Sequence, residues 1–273
     1  MNNKYSNEYK KYDTYLDGID IIYYINLERS KDRKKHMEKV LKDNVFHNKK
    51  IVRFNAIDYK KVDVYKKLKT NSIVNLIRLT KPEYACLLSH LEVIRKFSKT
   101  NYEHAVIFED DLELIDKKFW NEPIKNVIEN APKDYEILKL YRYCNKDLQY
   151  KNMYTLWDIK KENANRNIGD WSTIAYIITN KAAKKLMNKI YVHGKYVLND
   201  ISYHVADYLI YKELKTYIYK YPFFTGANYS NNLSTTIQIY NQTKNKIKTK
   251  KNSKNTFFNK NKTCKYIDYK KFK

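Results

Sequence analysis

The chain has 273 residues, with 54 Lys and Arg against 30 Asp and Glu, and its formal net charge of +24 makes a nucleic acid or an anionic membrane the first partner to test. Apolar types reach 43% and aromatic types 15%, enough to bury a core and to exclude wholesale disorder. With only 4 Gly, widely separated, and 4 Pro, the sequence excludes the G-x-G-x-x-G dinucleotide fingerprint, the Walker P-loop and a collagen-like repeat.

Residues 1–18 are polar, with three Lys balanced by Glu8, Asp13 and Asp17, and read as a frayed lead-in. The stretch IDIIYYINL, residues 19–27, is β-branched and aromatic and predicts a buried strand. Ser30 then caps a helix in which Met37, Val40 and Leu41 recur at helical spacing, and IVRFNAID at 51–58 predicts a second short strand. Thr80, Pro82 and Glu83 form a capping box with Pro in the first turn, opening a helix whose Leu87, Leu91, Ile94 and Phe97 share a face. Residues 104–108 predict a buried strand that ends in three carboxylates. Further strands are expected at 135–140, 172–179 and near 216–220, and helices at about 180–190 and 200–213. An irregular segment, YPFFTGANYSNNLSTT, follows, and from 241 the chain is Lys- and Asn-rich with little to bury. Alternating strands and helices predict an α/β domain over 19–240 with a largely parallel sheet flanked by helices, followed by a basic tail at 241–273.

Cys86, Cys144 and Cys264 are too dispersed for a zinc knuckle or a disulfide framework, so a reduced, intracellular compartment is expected. No stretch approaches the roughly 20 apolar residues that span a bilayer. The N-terminus also lacks the apolar core of a signal peptide, and a soluble cytoplasmic protein is the expectation. The tail carries 12 Lys and one Asp, nearly half of the excess charge, and only seven of the basic residues are Arg. A Lys-rich genome accounts for such a bias, so nucleic acid drops to a secondary expectation.

Glu109, Asp110 and Asp111 are the sharpest local signal. Adjacent, partly desolvated carboxylates repel one another and call for a cation, and the carboxyl end of a strand in an open α/β sheet is where ligands bind. A hard divalent ion, Mn²⁺ or Mg²⁺, bridging to a phosphate fits; a solvated acidic turn fits as well. Asn26, Arg29 and Arg33 follow the first strand at the same sheet edge, where Arg suits a phosphate oxygen, although simple helix capping also explains them. His90 lies on the apolar face of its helix and reads as a buried, hydrogen-bonded histidine. Asp200 and Asp207, seven apart on an expected helix, share a face, and either is a candidate general base. Trp171, just before a buried strand, is either a stacking platform or a core-edge residue.

In order, YYINLERSKDR, RFNAID, EYACLLSHLEVI, AVIFEDD, EILKL and WSTIAYIITNKAAKKL resemble glycosyltransferase family 25 across most of residues 19–240. That family includes bacterial lipo-oligosaccharide sugar transferases and the catalytic domains of procollagen galactosyltransferases. The resemblance implies a single GT-A-type domain that uses a UDP-sugar and a divalent metal, Mn²⁺ or Mg²⁺. It implies Asp111 as metal ligand, with Glu109 or Asp110 facing the ribose or donor sugar and Glu109 available to the metal. Asn26, Leu27, Arg29 and Arg33 match the nucleotide-side motif, Ala56 to Asp58 match a neighbouring segment, and Trp171 is placed at the donor. The family's later Asp aligns with either Asp200 or Asp207, with Asp200 preferred for its spacing. A departure is the lack of any His after His204, where GT-A enzymes often complete the metal shell. The implied activity is inverting transfer of a hexose, glucose or galactose, to a hydroxyl on a glycan or a collagen-like hydroxylysine. A basic polyanion-binding protein, or an inactive transferase fold used as a binding module, are the alternatives.

Overall fold

The computed structural model describes residues 12–69, 80–142, 152–158, 171–198 and 205–227. The first half runs β1 (Ile21–Asn26), α1 (Lys31–Val40), β2 (Ile51–Asn55), a two-residue β3 (Leu68–Lys69), α2 (Lys81–Ser98), β4 (His104–Glu109), β5 (Leu112–Leu114), α3 (Ile124–Glu129) and β6 (Ile137–Lys139). The second half runs β7 (Tyr154–Leu156), β8 (Ala175–Thr179), α4 (Asn180–Ile190), β9 (Tyr191–Val192), β10 (Lys195–Val197), α5 (Ala206–Glu213), β11 (Thr216–Tyr219) and β12 (Phe224–Gly226).

A seven-stranded sheet in the order β2-β1-β4-β8-β6-β11-β7 forms the centre. β2, β1, β4, β6 and β11 run one way, and β8 and β7 run against them, so the sheet is largely parallel, as expected. Both faces of the sheet are covered, which is why its strands read as unbroken apolar runs. Ile21, Tyr23 and Ile25 of β1 pack toward α2, α4 and α5, while Ile22 and Tyr24 pack toward Met37 of α1 and Ile124 and Val127 of α3. β4 alternates in the same way, with Ala105 and Ile107 on the first side and Val106 and Phe108 on the second.

Local chemistry explains most element ends. Glu83 accepts from both the backbone N–H and the hydroxyl of Thr80 at 2.7 Å, closing the capping box of α2. Ser30 sits at the N-cap of α1, but its side chain makes no capping bond, contrary to expectation. Thr179 caps α4 by accepting from the Ala182 N–H at 3.1 Å. His193 and Gly194, both at positive φ, form the tight turn between β9 and β10.

Other boundaries differ from the sequence expectation. β8 begins at Ala175 rather than 172 because Ser172 has a φ of 86°, which no strand accommodates. α5 starts at Ala206, since Val205 is extended, so among the described residues the helix expected at 200–213 covers only Ala206–Glu213. Asp200 itself lies outside the described residues, as does the tail from 241. Leu16 is buried and Tyr15 stacks near Trp120, so residues 12–18 pack on the domain instead of fraying. Within the segment expected to be irregular, Phe224–Gly226 pairs antiparallel with β5.

The chain leaves β1 through α1 to β2 on one side and later returns to β4 on the other, so the carboxyl ends of β1 and β4 flank a topological switch point. Ile107, fully buried at the centre of β4, anchors this region. Ile107→Ala is expected to cost about 2–5 kcal/mol in urea unfolding, and a loss below about 1 kcal/mol would contradict a packed β4.

Candidate active site

The strand ends assemble a polar cluster from three distant pieces of chain. Arg33 of α1 donates through Nη1 to Asp110 Oδ1 and through Nη2 to Asp111 Oδ2, the latter at 2.6 Å. Asn26, the last residue of β1, is buried and donates through Nδ2 to Asp110 Oδ2 at 2.7 Å. Arg53 fixes that orientation by donating to Asn26 Oδ1 from Nε at 3.0 Å and from Nη2 at 2.8 Å, leaving only the amide nitrogen to face the carboxylate. Glu109 turns the other way, toward α2, and its Oε1 accepts from the Thr173 hydroxyl at 2.5 Å.

A cavity of about 300 Å³ opens beside this cluster, between the strand ends and α2. Of the candidate residues singled out in the sequence, Leu27, Arg33, Ala56, His90, Glu109 and Asp110 line it, and Asp111 stands behind them. Arg29 and Asp58 stand next to it as an ion pair, Nε to Oδ2 at 2.8 Å, with the guanidinium also 6.0 Å above the Tyr59 ring. Trp171 is not part of this wall: its ring meets Trp157 edge-on at 5.8 Å and packs against the core, the structural alternative for this residue.

Asp207 is tied to the cluster indirectly. Its Oδ2 accepts from the Ser172 N–H and its Oδ1 from the Tyr208 N–H, each at 2.9 Å. Tyr211 donates its hydroxyl to the Ser172 carbonyl at 2.7 Å. α5 therefore holds Ser172 in the left-handed region that a non-glycine residue seldom adopts, and the next residue, Thr173, delivers its hydroxyl to Glu109. Lys139, fully buried, donates to the Trp171 carbonyl at 3.3 Å and lies 4.6 Å over the Tyr211 ring, placing a cation beneath this segment.

The electrostatics are unbalanced. Burial drives the Asp111 carboxyl up to about 7 despite Arg33, and the charges of Glu109 and Asp110 push the same way. Burial also raises Asp110 against the pull of Arg33 and Asn26. Glu109 ends below its ordinary value: burial lifts it, but His90, the Thr173 hydroxyl and Arg33 together outweigh that lift. Burial raises Asp207 in spite of the Ser172 N–H and nearby Lys139. Asp111 Oδ1 is buried with no hydrogen-bond partner. Three consecutive carboxylates against one guanidinium leave two negative charges when all are ionised, and the orphaned hard oxygen of Asp111 fits a divalent cation.

A family model described as glycosyltransferase family 25 (LPS biosynthesis protein) matches residues 19–209. The chain belongs to glycosyltransferase family 25. Procollagen galactosyltransferases 1-A and 1-B of Xenopus laevis are 28% and 27% identical over 192 and 194 residues, 63% of this chain in each case. The family 25 chain aligns with 28% of the length of each of these relatives. Looser likenesses exist to a Drosophila galactosyltransferase 7 mutant solved with manganese, UDP-Gal and xylobiose (9% identity, 92% of this chain and 81% of that one, TM-score 0.36). Another is to a glycosyltransferase of PBCV-1 capsid glycosylation (10% identity, 74% of this chain and 93% of that one, TM-score 0.31).

Several residues of the cluster carry no signal of their own in the sequence: Arg53 sits in a strand, and Thr173 is a small polar residue beside a strand. His90 was expected to be buried and hydrogen-bonded, which it is, with Nδ1 3.1 Å from the Tyr176 hydroxyl, but its Nε2 also faces Glu109 at 3.4 Å. The Cys86 and His90 spacing of four along a helix was the available clue that both look toward that carboxylate.

A carboxyl raised on folding from its ordinary 3.8 to about 7 stabilises the folded chain fully at low pH, and that contribution is lost as pH rises through this window. With a chelator present, Asp111→Asn should therefore melt above the parent chain by a margin that widens from about pH 4 to about pH 8. Each kcal/mol relieved corresponds to roughly 2–4 °C. A pH-independent difference in calorimetry would contradict the buried, unbalanced carboxylate.

Proposed function

We propose that this chain is an inverting glycosyltransferase that moves a hexose, galactose or glucose, from a UDP-sugar to a hydroxyl acceptor, with Mn²⁺ or Mg²⁺ as cofactor. The observation that carries it is the under-neutralised Glu109-Asp110-Asp111 cluster, of which Glu109 and Asp110 line a cleft at the β1/β4 switch point. Family membership supports sugar transfer, and the names of the curated relatives favour galactose and a collagen-like hydroxylysine; the family description favours a glycan acceptor.

In this reading Asp111 holds the divalent ion, with its orphaned Oδ1 as the natural donor atom, while Glu109, expected beside it, is turned toward Thr173 and His90. When bound, the ion neutralises charge on the diphosphate of the leaving UDP. Arg33 fixes Asp110 and Asp111 and pulls them toward ionisation against the lift of burial, so that the carboxylates reach the donor already oriented. Asn26 and Arg53 hold Asp110 from the β1 and β2 side. Leu27 and Ala56 offer apolar wall to the nucleoside, and Arg29, once turned from Asp58, adds a second cation at its edge. Thr173 fixes the Glu109 rotamer.

Of the two candidate bases, Asp207 has each oxygen already accepting a backbone N–H, which suits it to positioning Ser172 and Thr173. Proton removal from the acceptor hydroxyl then falls to Asp200. Trp171 contributes by supporting this segment from the core rather than by stacking on the donor.

The test is a panel of UDP-sugars scored for divalent-ion-dependent release of UDP. UDP-galactose or UDP-glucose is expected to turn over, Asp111→Ala to abolish turnover while staying folded, and Asp200→Ala to lower kcat by about 10²–10⁴. Silence across the panel from folded protein would favour a binding module, and normal turnover by Asp111→Ala would overturn the assigned metal position.

A further inference from the structure

Cys86 and His90 stand one helical turn apart on α2, and one ligand atom of each, together with a carboxylate oxygen of Glu109, lies within 4.8 Å of the others. All three residues line the cleft. His90 is fully buried, and its Nε2 lies 3.4 Å from Glu109 Oε1 without making a hydrogen bond. Its other ring nitrogen is held 3.1 Å from the Tyr176 hydroxyl. A histidine oriented through one nitrogen, with the second beside a carboxylate and a thiol but hydrogen-bonded to neither, has the arrangement of a metal ligand. Cys86 is a free, partly exposed cysteine.

The donor set decides what such a site takes. Thiolate sulfur, imidazole nitrogen and one carboxylate oxygen suit Zn²⁺ and its thiophilic neighbours, whereas Mg²⁺ and Mn²⁺ prefer oxygen. Three protein ligands with the cleft at the fourth position leave one place open to solvent or an anion. We propose that Cys86, His90 and Glu109 form a thiophilic divalent-cation site of the Zn²⁺ class, separate from the oxygen site at Asp111. Tetrahedral ligands at ordinary bond lengths stand about 3.3–3.8 Å apart. Closing to that spacing asks for side-chain rotation by the partly exposed Cys86 and for Glu109 to turn against its bond from the Thr173 hydroxyl, with His90 staying in place. An ion there occupies Glu109 and the α2 wall of the cleft, so it competes with whatever the cleft binds. The site stands on these three residues alone and does not depend on sugar transfer.

Co²⁺ alone, added to the full chain under a non-thiol reductant, reads the site directly. The parent chain is expected to develop thiolate-to-metal charge-transfer absorption that saturates at about one equivalent and is displaced by Zn²⁺. Cys86→Ser should erase that band, His90→Gln should weaken Co²⁺ binding at least about tenfold, and Asp111→Asn should retain both band and affinity. Cys86→Ser is the primary variant because this side chain is partly exposed, and a melting curve checks that it folds. The proposal is overturned by a folded parent chain without the band. A band that survives Cys86→Ser overturns it too, since the thiolate then belongs to Cys144 or Cys264. Loss of the band in Asp111→Asn would merge the two sites and remove their separateness.

Discussion

A single guanidinium, that of Arg33, bridges two of three consecutive carboxylates at the mouth of a buried strand, and it is not enough charge for them. Unit charges a few ångströms apart, sheltered from water, repel by several kcal/mol, so such a cluster persists only if its surroundings hold it. The surroundings do so asymmetrically. Asp110 receives Arg33 and the Asn26 amide, Glu109 receives the Thr173 hydroxyl and the approach of His90, and Asp111 keeps one buried oxygen unpaired. The imbalance is concentrated on the residue whose carboxyl is pushed furthest from its usual range.

The rest of the architecture brings these groups together. β1 and β4 are adjacent and parallel because both are apolar on both faces and need helices on either side. Their carboxyl ends therefore carry Asn26 and the acidic triplet to one edge, where α1 supplies Arg33 and α2 supplies the opposite wall of the cleft. α5 reaches the same edge at one remove: Asp207 and Tyr211 hold Ser172 at positive φ, and that conformation sets Thr173 against Glu109. A site made this way rests on strand ends and helix turns rather than on long loops, which favours a fixed geometry.

Much of this is legible in the sequence for reasons that are physical. The strands around 21–26 and 104–109 declare themselves because double-sided burial leaves no polar interruption, and α2 declares itself through Thr80 and Glu83. Family motifs in order mark Asn26, Arg33 and the triplet as belonging together. What the sequence does not carry is which side chain meets which. Arg33, read as a phosphate donor, is paired across more than seventy residues with Asp110 and Asp111. Asp207 looked like a surface carboxylate midway along a helix, but the extended Val205 places it in the first turn, where it turns back to the Ser172 N–H. Trp171 looked available for stacking, but Trp157 of the preceding described stretch packs edge-on against it. The six-residue α3 and the two- and three-residue strands β3, β9 and β10 are too short to show a period at all.

The negative charge of the cluster is under-neutralised, and the excess falls on Asp111. Carboxyl carbon NMR of the chain, titrated with and without Mg²⁺, measures it most directly. Without the ion, the Asp111 carboxyl should titrate near its elevated value of about 7. With Mg²⁺ it should shift down and stay ionised across neutral pH. An Asp111 that titrates in the ordinary carboxylate range and ignores Mg²⁺ would contradict the account.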